Sequence, residues 1–281
     1  LDFTSLRAGV PATLSTPDLI SHLTSLVTAC FLHYNFDTPT VVRFIGGQHT
    51  AAHRDVPAIL RELRRADVDH DALADLERVF TVGSPAYCNA SATERNFVLF
   101  FEYGNHKTIT EDVPKMQKAL VKDIRRGYVL IMDPWLAFFI PNLHLTPLGM
   151  VDISKLHKNP RPIFDSSFRP QPWAMAINDY TSKTTKPEIV FPQAWINYLT
   201  WVWNLRITYP RDELYLGDDD VSGAFRQVKY NPNLVAMHAF LAFGVLFLST
   251  GPTFGDGTSP ANWEPGARKR QPKASYLWNQ G

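Results

Sequence analysis

The chain has 281 residues, of which 45% are hydrophobic and 20% charged, enough for one large core or two smaller ones. A formal charge of +1 excludes the global basicity that announces a nucleic-acid binder, and two cysteines, Cys30 and Cys88, exclude a disulfide framework or a cysteine-built zinc site. The cysteine usage suits a reducing compartment. No signal peptide is legible at the N-terminus, and a chain opening on Leu1 is expected to be a piece of something longer. Local basic clusters (Arg61, Arg64 and Arg65; Lys122, Arg125 and Arg126; Arg268, Lys269, Arg270 and Lys273) could still announce nucleic acid, although such a cluster is more often a solvated helix face.

The first part of the chain, 1–142, reads as mainly helical. "STPDLISHLTSLVTACFLHYN" offers Thr16 as N-cap and Pro17 at the first helical position, followed by apolar residues at helical spacing. "DVPAILRELRRA" sets Ile59, Leu60 and Leu63 on one face and puts its arginines late, where the helix dipole favours cations. "DHDALADLERVF" and "TEDVPKMQKALVKDIRRG" repeat the design, the second stopping at Gly127.

From Leu143 the pattern changes. "LTPLGMVDISKLHKNPRPIFDSSFRP" is two short apolar runs around a polar centre, a β-hairpin turning near residues 157–159. A linker with Pro and Lys, "SKTTKPEIVFP", precedes the aromatic helix "QAWINYLTWVWNL", whose Trp195, Tyr198, Trp201 and Trp203 are expected to pack in the core. "LVAMHAFLAFGVLFLST" approaches membrane-span length, but His238, Gly244 and the lack of basic flanks predict two buried strands joined at Phe243-Gly244 and no membrane partner.

Between these lies "ELYLGDDDVSGAFRQVKYNP". On a strand Asp218 and Asp220 share one face, where two carboxylates repel and resist desolvation. Either they sit at an exposed strand end, or a cation neutralises at least one. Taken alone, the solvated turn has the better odds.

Three motifs change those odds together. "DVSGAF" resembles motif A of reverse transcriptases, with Asp220 on the metal-binding aspartate, Val221 on the residue whose carbonyl helps hold the metal, and Phe225 on the aromatic gate under the sugar. "TPLGMVDISKLHKNPRPIFDSSFRP" resembles the fingers hairpin, with Arg161 on the arginine that grips the triphosphate and either Lys155 or Lys158 on its neighbouring lysine. Asp165 is read there as structural. "PTFGDGTSPANWE" resembles motif B, with Phe254 near the incoming base, Gly255 and Gly257 letting the backbone come close to nucleotide and template, Ser259 as N-cap and Pro260 at N1. Pro265-Gly266 departs from the pattern by falling inside the expected motif B helix.

The resemblance implies an α+β fold: the fingers and partial palm of a right-hand polymerase over 143–281, with an antiparallel sheet, preceded by the helical region 1–142. It implies an intracellular reverse transcriptase of a retroelement (a retrotransposon), in the nucleus or cytoplasm, adding dNTPs to a DNA primer on an RNA template. Mg²⁺ (or Mn²⁺) would be held by Asp220, Asp219 and Val221. The remainder of such a polymerase, motif C and the thumb, is expected in the parent protein, and the 281 residues contain no Tyr-x-Asp-Asp. Little polymerase activity is therefore expected from this chain alone.

Rival readings differ in kind. A decayed retroelement domain would act only as a nucleic-acid or protein binding module. "YLGDDD" resembles motif C of RNA-dependent RNA polymerases, but that reading needs motifs A and B upstream, and none is found there. His49 and His53 have helical spacing for a metal, yet Thr50 stands where a zinc protease carries glutamate and no third ligand is evident. Asn89 in "NAS" matches a glycosylation acceptor, read as chance without a secretion signal.

Overall fold

A computed structural model describes residues 15–49, 56–65, 70–84, 94–151, 161–181, 191–211 and 224–260. The fold is α+β, helices around small antiparallel sheets. Helix α1 (Thr16–His33) is capped by Ser15, whose Oγ accepts from the Asp18 N–H at 3.4 Å. The cap thus falls one residue before the predicted Thr16, because Pro17, lacking an N–H, fits the first turn at either of its opening positions. Leu19, Leu23, Val27, Cys30 and Phe31 form its buried stripe. Burial pushes the Cys30 thiol up to about 11, so it is an inert core residue at neutral pH.

Asn35 and Phe36, both with positive φ, turn the chain into α2 (Thr38–His49). Helices α3 (Val56–Arg65) and α4 (His70–Thr81) then bury Leu60, Leu63, Leu73, Leu76 and Phe80 in a satellite cluster of their own. The expected solvated face is present on α3, where exposed Arg65 pairs with Glu62 at 2.8 Å. Helix α5 (Glu94–Tyr103) follows, then α6 (Val113–Arg125), which Asp112 caps and Gly127 ends at φ 66°.

The central sheet has the order β1–β5–β4, with β1 (Val129–Met132), β4 (Ala239–Ala242) and β5 (Val245–Ser249) all antiparallel. The predicted hairpin is β4–β5. Phe243 and Gly244 both take positive φ, 51° and 76°, the backbone a two-residue type I′ connection requires. The first part of the predicted apolar pair is instead a 3₁₀ stretch, Pro232–Met237. Strand β1 pairs Val129 with Ser249 and Met132 with Leu246, so one core draws on residues from both sides of position 143. The change of sequence pattern at 143 is therefore not a break in packing. Among the described residues no helix is long and apolar enough to cross a membrane.

A second ladder pairs β2 (Leu148–Val151) with β3 (Arg161–Phe164), the two arms of the predicted hairpin, Leu148 opposite Phe164 and Val151 opposite Arg161. The Phe164 N–H points away from β2, and strand alternation turns the Pro162 nitrogen to that same side, where it removes no ladder bond. The turn itself lies outside the described residues.

Helix α7 (Phe191–Thr208) forms where the aromatic run predicted it. Its burial contradicts the expectation. Trp201 is 55% and Trp203 67% exposed, and Tyr198 is exposed as well, so these side chains are not core residues. A helix satisfies its backbone hydrogen bonds internally and persists without a neighbour on every apolar face. Of Trp195 only the helical backbone belongs to the description.

Candidate functional site

Three segments separated by about 90 residues of sequence at the widest converge at the end of β3. Phe164 closes the strand, buried, its ring edge-on to Phe240 at 4.9 Å. Its N–H donates to the Phe254 carbonyl at 3.1 Å, which ties the loop after β5 to the β2–β3 pair. Gly255 follows at φ 105°, and a Cβ there would stand 1.8 Å from the Phe164 oxygen. Glycine is thus required by a close approach of two protein backbones. Asn178 clamps the same loop, accepting from the Gly257 N–H at 2.9 Å and donating to the Gly255 carbonyl at 3.1 Å.

The third segment enters through Phe225–Gln227, a 3₁₀ turn. The Phe225 ring lies 5.4 Å from Phe254, both accessible to solvent. Arg226, next to it, turns inward. It is 6% exposed, donates to Asp123 Oδ2 at 2.8 Å and Ser249 Oγ at 2.9 Å, and stands 5.0 Å over the Phe164 ring. Its charge is answered by Asp123 on α6 and shared with an aromatic face. Arg226 therefore holds the corner together.

Beneath the loop lies a buried polar group. Asp256 accepts hydrogen bonds from the Tyr230 hydroxyl and from the Thr258 N–H at 2.8 Å. Burial, reinforced by the Asp256 charge, holds the Tyr230 hydroxyl well above the usual range. His238 stacks on Tyr230 at 4.0 Å, and burial pushes its imidazole down, so it stays neutral. Its Nε2 has no hydrogen-bond partner among the described residues.

The predicted site residues distribute as follows. Phe225, Phe254 and Gly255 come together, and Arg161 opens the strand that Phe164 closes, about 10 Å away along β3. Ser259 stands at the start of the last described helical residues. Its buried hydroxyl donates to the Thr253 carbonyl at 2.7 Å and shapes the loop from inside. Asp165 bonds His106 Nε2 at 3.1 Å, in keeping with a structural part. Asp218, Asp219, Asp220, Val221, Lys155, Lys158, His53 and Asn89 lie outside the described residues, as do the side chains of Arg161 and His49. No group of three metal-ligating side chains occurs among the described residues, so none of them is assigned to Mg²⁺.

Sequence reading missed Arg226, Asn178, Tyr230 and Asp123. Their partners lie 26 to 103 positions away, which no local pattern signals. No family model, no curated protein and no solved structure matches this chain.

Proposed function

We propose that this chain carries the fingers hairpin and first palm segments of a reverse transcriptase, the RNA-directed DNA polymerase of a retroelement. One observation carries the reading. The ends of the three segments that resemble the fingers hairpin, motif A and motif B meet at one corner, through Phe164, Phe225 and Phe254. Nothing in their separate sequences requires that meeting.

In this reading Phe225 and Phe254 form the apolar floor under sugar and base. Arg161, with Lys155 or Lys158, binds the triphosphate. Asp220 and Asp219, with the Val221 carbonyl, would hold Mg²⁺ or Mn²⁺, whose chemistry is charge stabilisation of the transferring phosphoryl group. The Gly255–Phe164 contact and the Asn178 clamp fix the loop that shapes the pocket, while Arg226 anchors the turn that presents Phe225.

The test is primer extension on an RNA template by a form of the protein that also carries a Tyr-x-Asp-Asp segment. Asp220→Asn abolishes extension and leaves the circular dichroism spectrum unchanged. Phe225→Ala relaxes discrimination against ribonucleotides. Extension that survives Asp220→Asn, or a sugar preference untouched by Phe225→Ala, contradicts the proposal.

A further inference from the structure

Tyr103, His106 and Asp165 form a chain of hydrogen bonds. His106 Nε2 lies 3.1 Å from Asp165 Oδ2, and the Tyr103 hydroxyl lies 2.9 Å from His106 Nδ1. An ionised carboxylate only accepts, so Nε2 carries the imidazole proton and donates to Asp165. That leaves a lone pair on Nδ1, to which the Tyr103 hydroxyl donates. The order is hydroxyl, base, carboxylate: a nucleophile beside a base that a third group orients. Asp165 follows Phe164 in the chain, but none of the three is assigned to the nucleotide site.

The imidazole is held from several directions. Gly104, at φ 72°, turns the chain out of α5. Asn105 then accepts from the Leu148 N–H at 2.8 Å and donates to the Leu241 carbonyl at 2.6 Å. The His106 N–H donates to the Leu148 carbonyl at 3.1 Å, and the Asp165 N–H to the Pro147 carbonyl at 3.0 Å. Base and carboxylate are thus tied to adjoining residues at the start of β2. A Cβ on Gly149 would stand 3.2 Å from His106 Cδ2, so glycine there makes room for the ring. Phe168 packs on both rings, 4.3 Å from that of Tyr103 and edge-on to His106 at 5.0 Å. The His106 side chain is only 22% exposed, whereas Tyr103 is 40% exposed. The base is sheltered and the nucleophile can be reached.

We propose that Tyr103 is a nucleophile that takes an acyl group from an uncharged carboxylic ester, with His106 as its base and Asp165 positioning that base. The Tyr103 oxygen attacks the ester carbonyl carbon and its proton passes to His106 Nδ1, the resulting imidazolium facing Asp165. The bond to the leaving oxygen breaks, and the alcohol departs with that proton. Water then hydrolyses the acyl-tyrosine, His106 again taking the proton, which releases the carboxylic acid and restores Tyr103. Charge selects the substrate class. Asp165 and the chain neighbour Glu102 set two carboxylates against one lysine, Lys107, while Arg169 is engaged with Asp179 at 2.8 Å. A phosphate ester would meet that excess of negative charge, and an uncharged ester does not.

The test treats the 281-residue chain with p-nitrophenyl acetate, following p-nitrophenolate release and mapping the acetylated residue by mass spectrometry. Acetyl is expected on Tyr103 in preference to Tyr209, which is more exposed. Tyr103→Phe abolishes that adduct, and His106→Gln slows its formation about 100-fold. Asp165→Asn can still accept from Nε2 but lacks the charge, and it slows the step; Asp165→Glu, which keeps the charge, recovers most of the rate. Acetyl spread over tyrosines in order of exposure overturns the proposal, and this comparison within the unaltered chain decides even where a variant fails to fold. Release untouched by Tyr103→Phe or His106→Gln overturns it too, as does equal loss in Asp165→Asn and Asp165→Glu. Turnover of p-nitrophenyl phosphate in place of the acetate contradicts the substrate class.

Discussion

The segment from Ala239 to Ser249 and helix α7 are both rich in large apolar side chains, yet Phe240, Leu246 and Leu248 are at 0% exposure while Trp203 is at 67%. The difference lies in how each backbone is satisfied. Strands β4 and β5 leave N–H and C=O groups that need partners, and β5 finds them on both sides, in β4 and β1. That pairing brings their side chains into the core. Helix α7 meets its hydrogen-bonding needs within itself, so nothing in its backbone demands a neighbour. Apolar composition alone therefore does not decide burial: α1, also satisfied within itself, buries Leu19 and Phe31 by packing, while α7 leaves Trp203 in solvent.

The comparison breaks most severely in the sheet. Phe240→Ala removes a ring stacked on Phe247 at 4.6 Å in the fully buried core, and a loss of about 4 kcal/mol is expected in urea unfolding. Gly255→Ala attacks the corner where the loop after β5 meets β3. A Cβ 1.8 Å from the Phe164 oxygen at φ 105° should lower stability by about 3 kcal/mol, read as a shift of the same unfolding midpoint.

Acid acts on the sheet side of the comparison too. Burial pushes the His144 imidazole down to about 4 from its ordinary 6.5, while its Nε2 donates to the Met175 carbonyl at 3.1 Å. Between those two values the unfolded chain takes up a proton that the folded chain refuses. Stability is therefore full above pH 6.5 and falls as pH drops toward 4, by up to about 3 kcal/mol. His238, also held down by burial, acts in the same direction. Urea midpoints from pH 7.5 to 4.5 should show the slope, and His144→Gln should flatten it. The smallest effect belongs to the helix: Trp203→Ala, measured in dilute protein, should change stability by less than about 0.5 kcal/mol. A larger loss would mean that the ring packs within its own chain.

What the sequence made legible follows the same physics. Helices α1, α3, α4 and α6 announced themselves through periodicity and their caps or stops, and both hairpins through apolar runs around turn residues. Strand β1 escaped because four apolar residues after Gly127 have no period to read. Helix α2 hides behind Gly46 and Gly47, poor helix formers in its own last turn. Of the corner where the segments meet, Phe225, Phe254 and Gly255 were named through local motifs. The contacts joining them to Phe164, Arg226 and Asn178 depend on folding across long separations, which no local pattern encodes. The aromatic helix was misread because residue type was taken as a proxy for burial.

The corner itself can be interrogated in the 281-residue chain alone. A photoreactive dNTP with Mg²⁺ is cross-linked to the 281-residue chain and the labelled peptides are mapped. Metal-dependent label on the peptides that hold Phe225 and Phe254, lost in Arg161→Ala, is the predicted result. Label confined to other parts of the chain, or none that depends on the metal, would contradict a nucleotide site where the three segments meet.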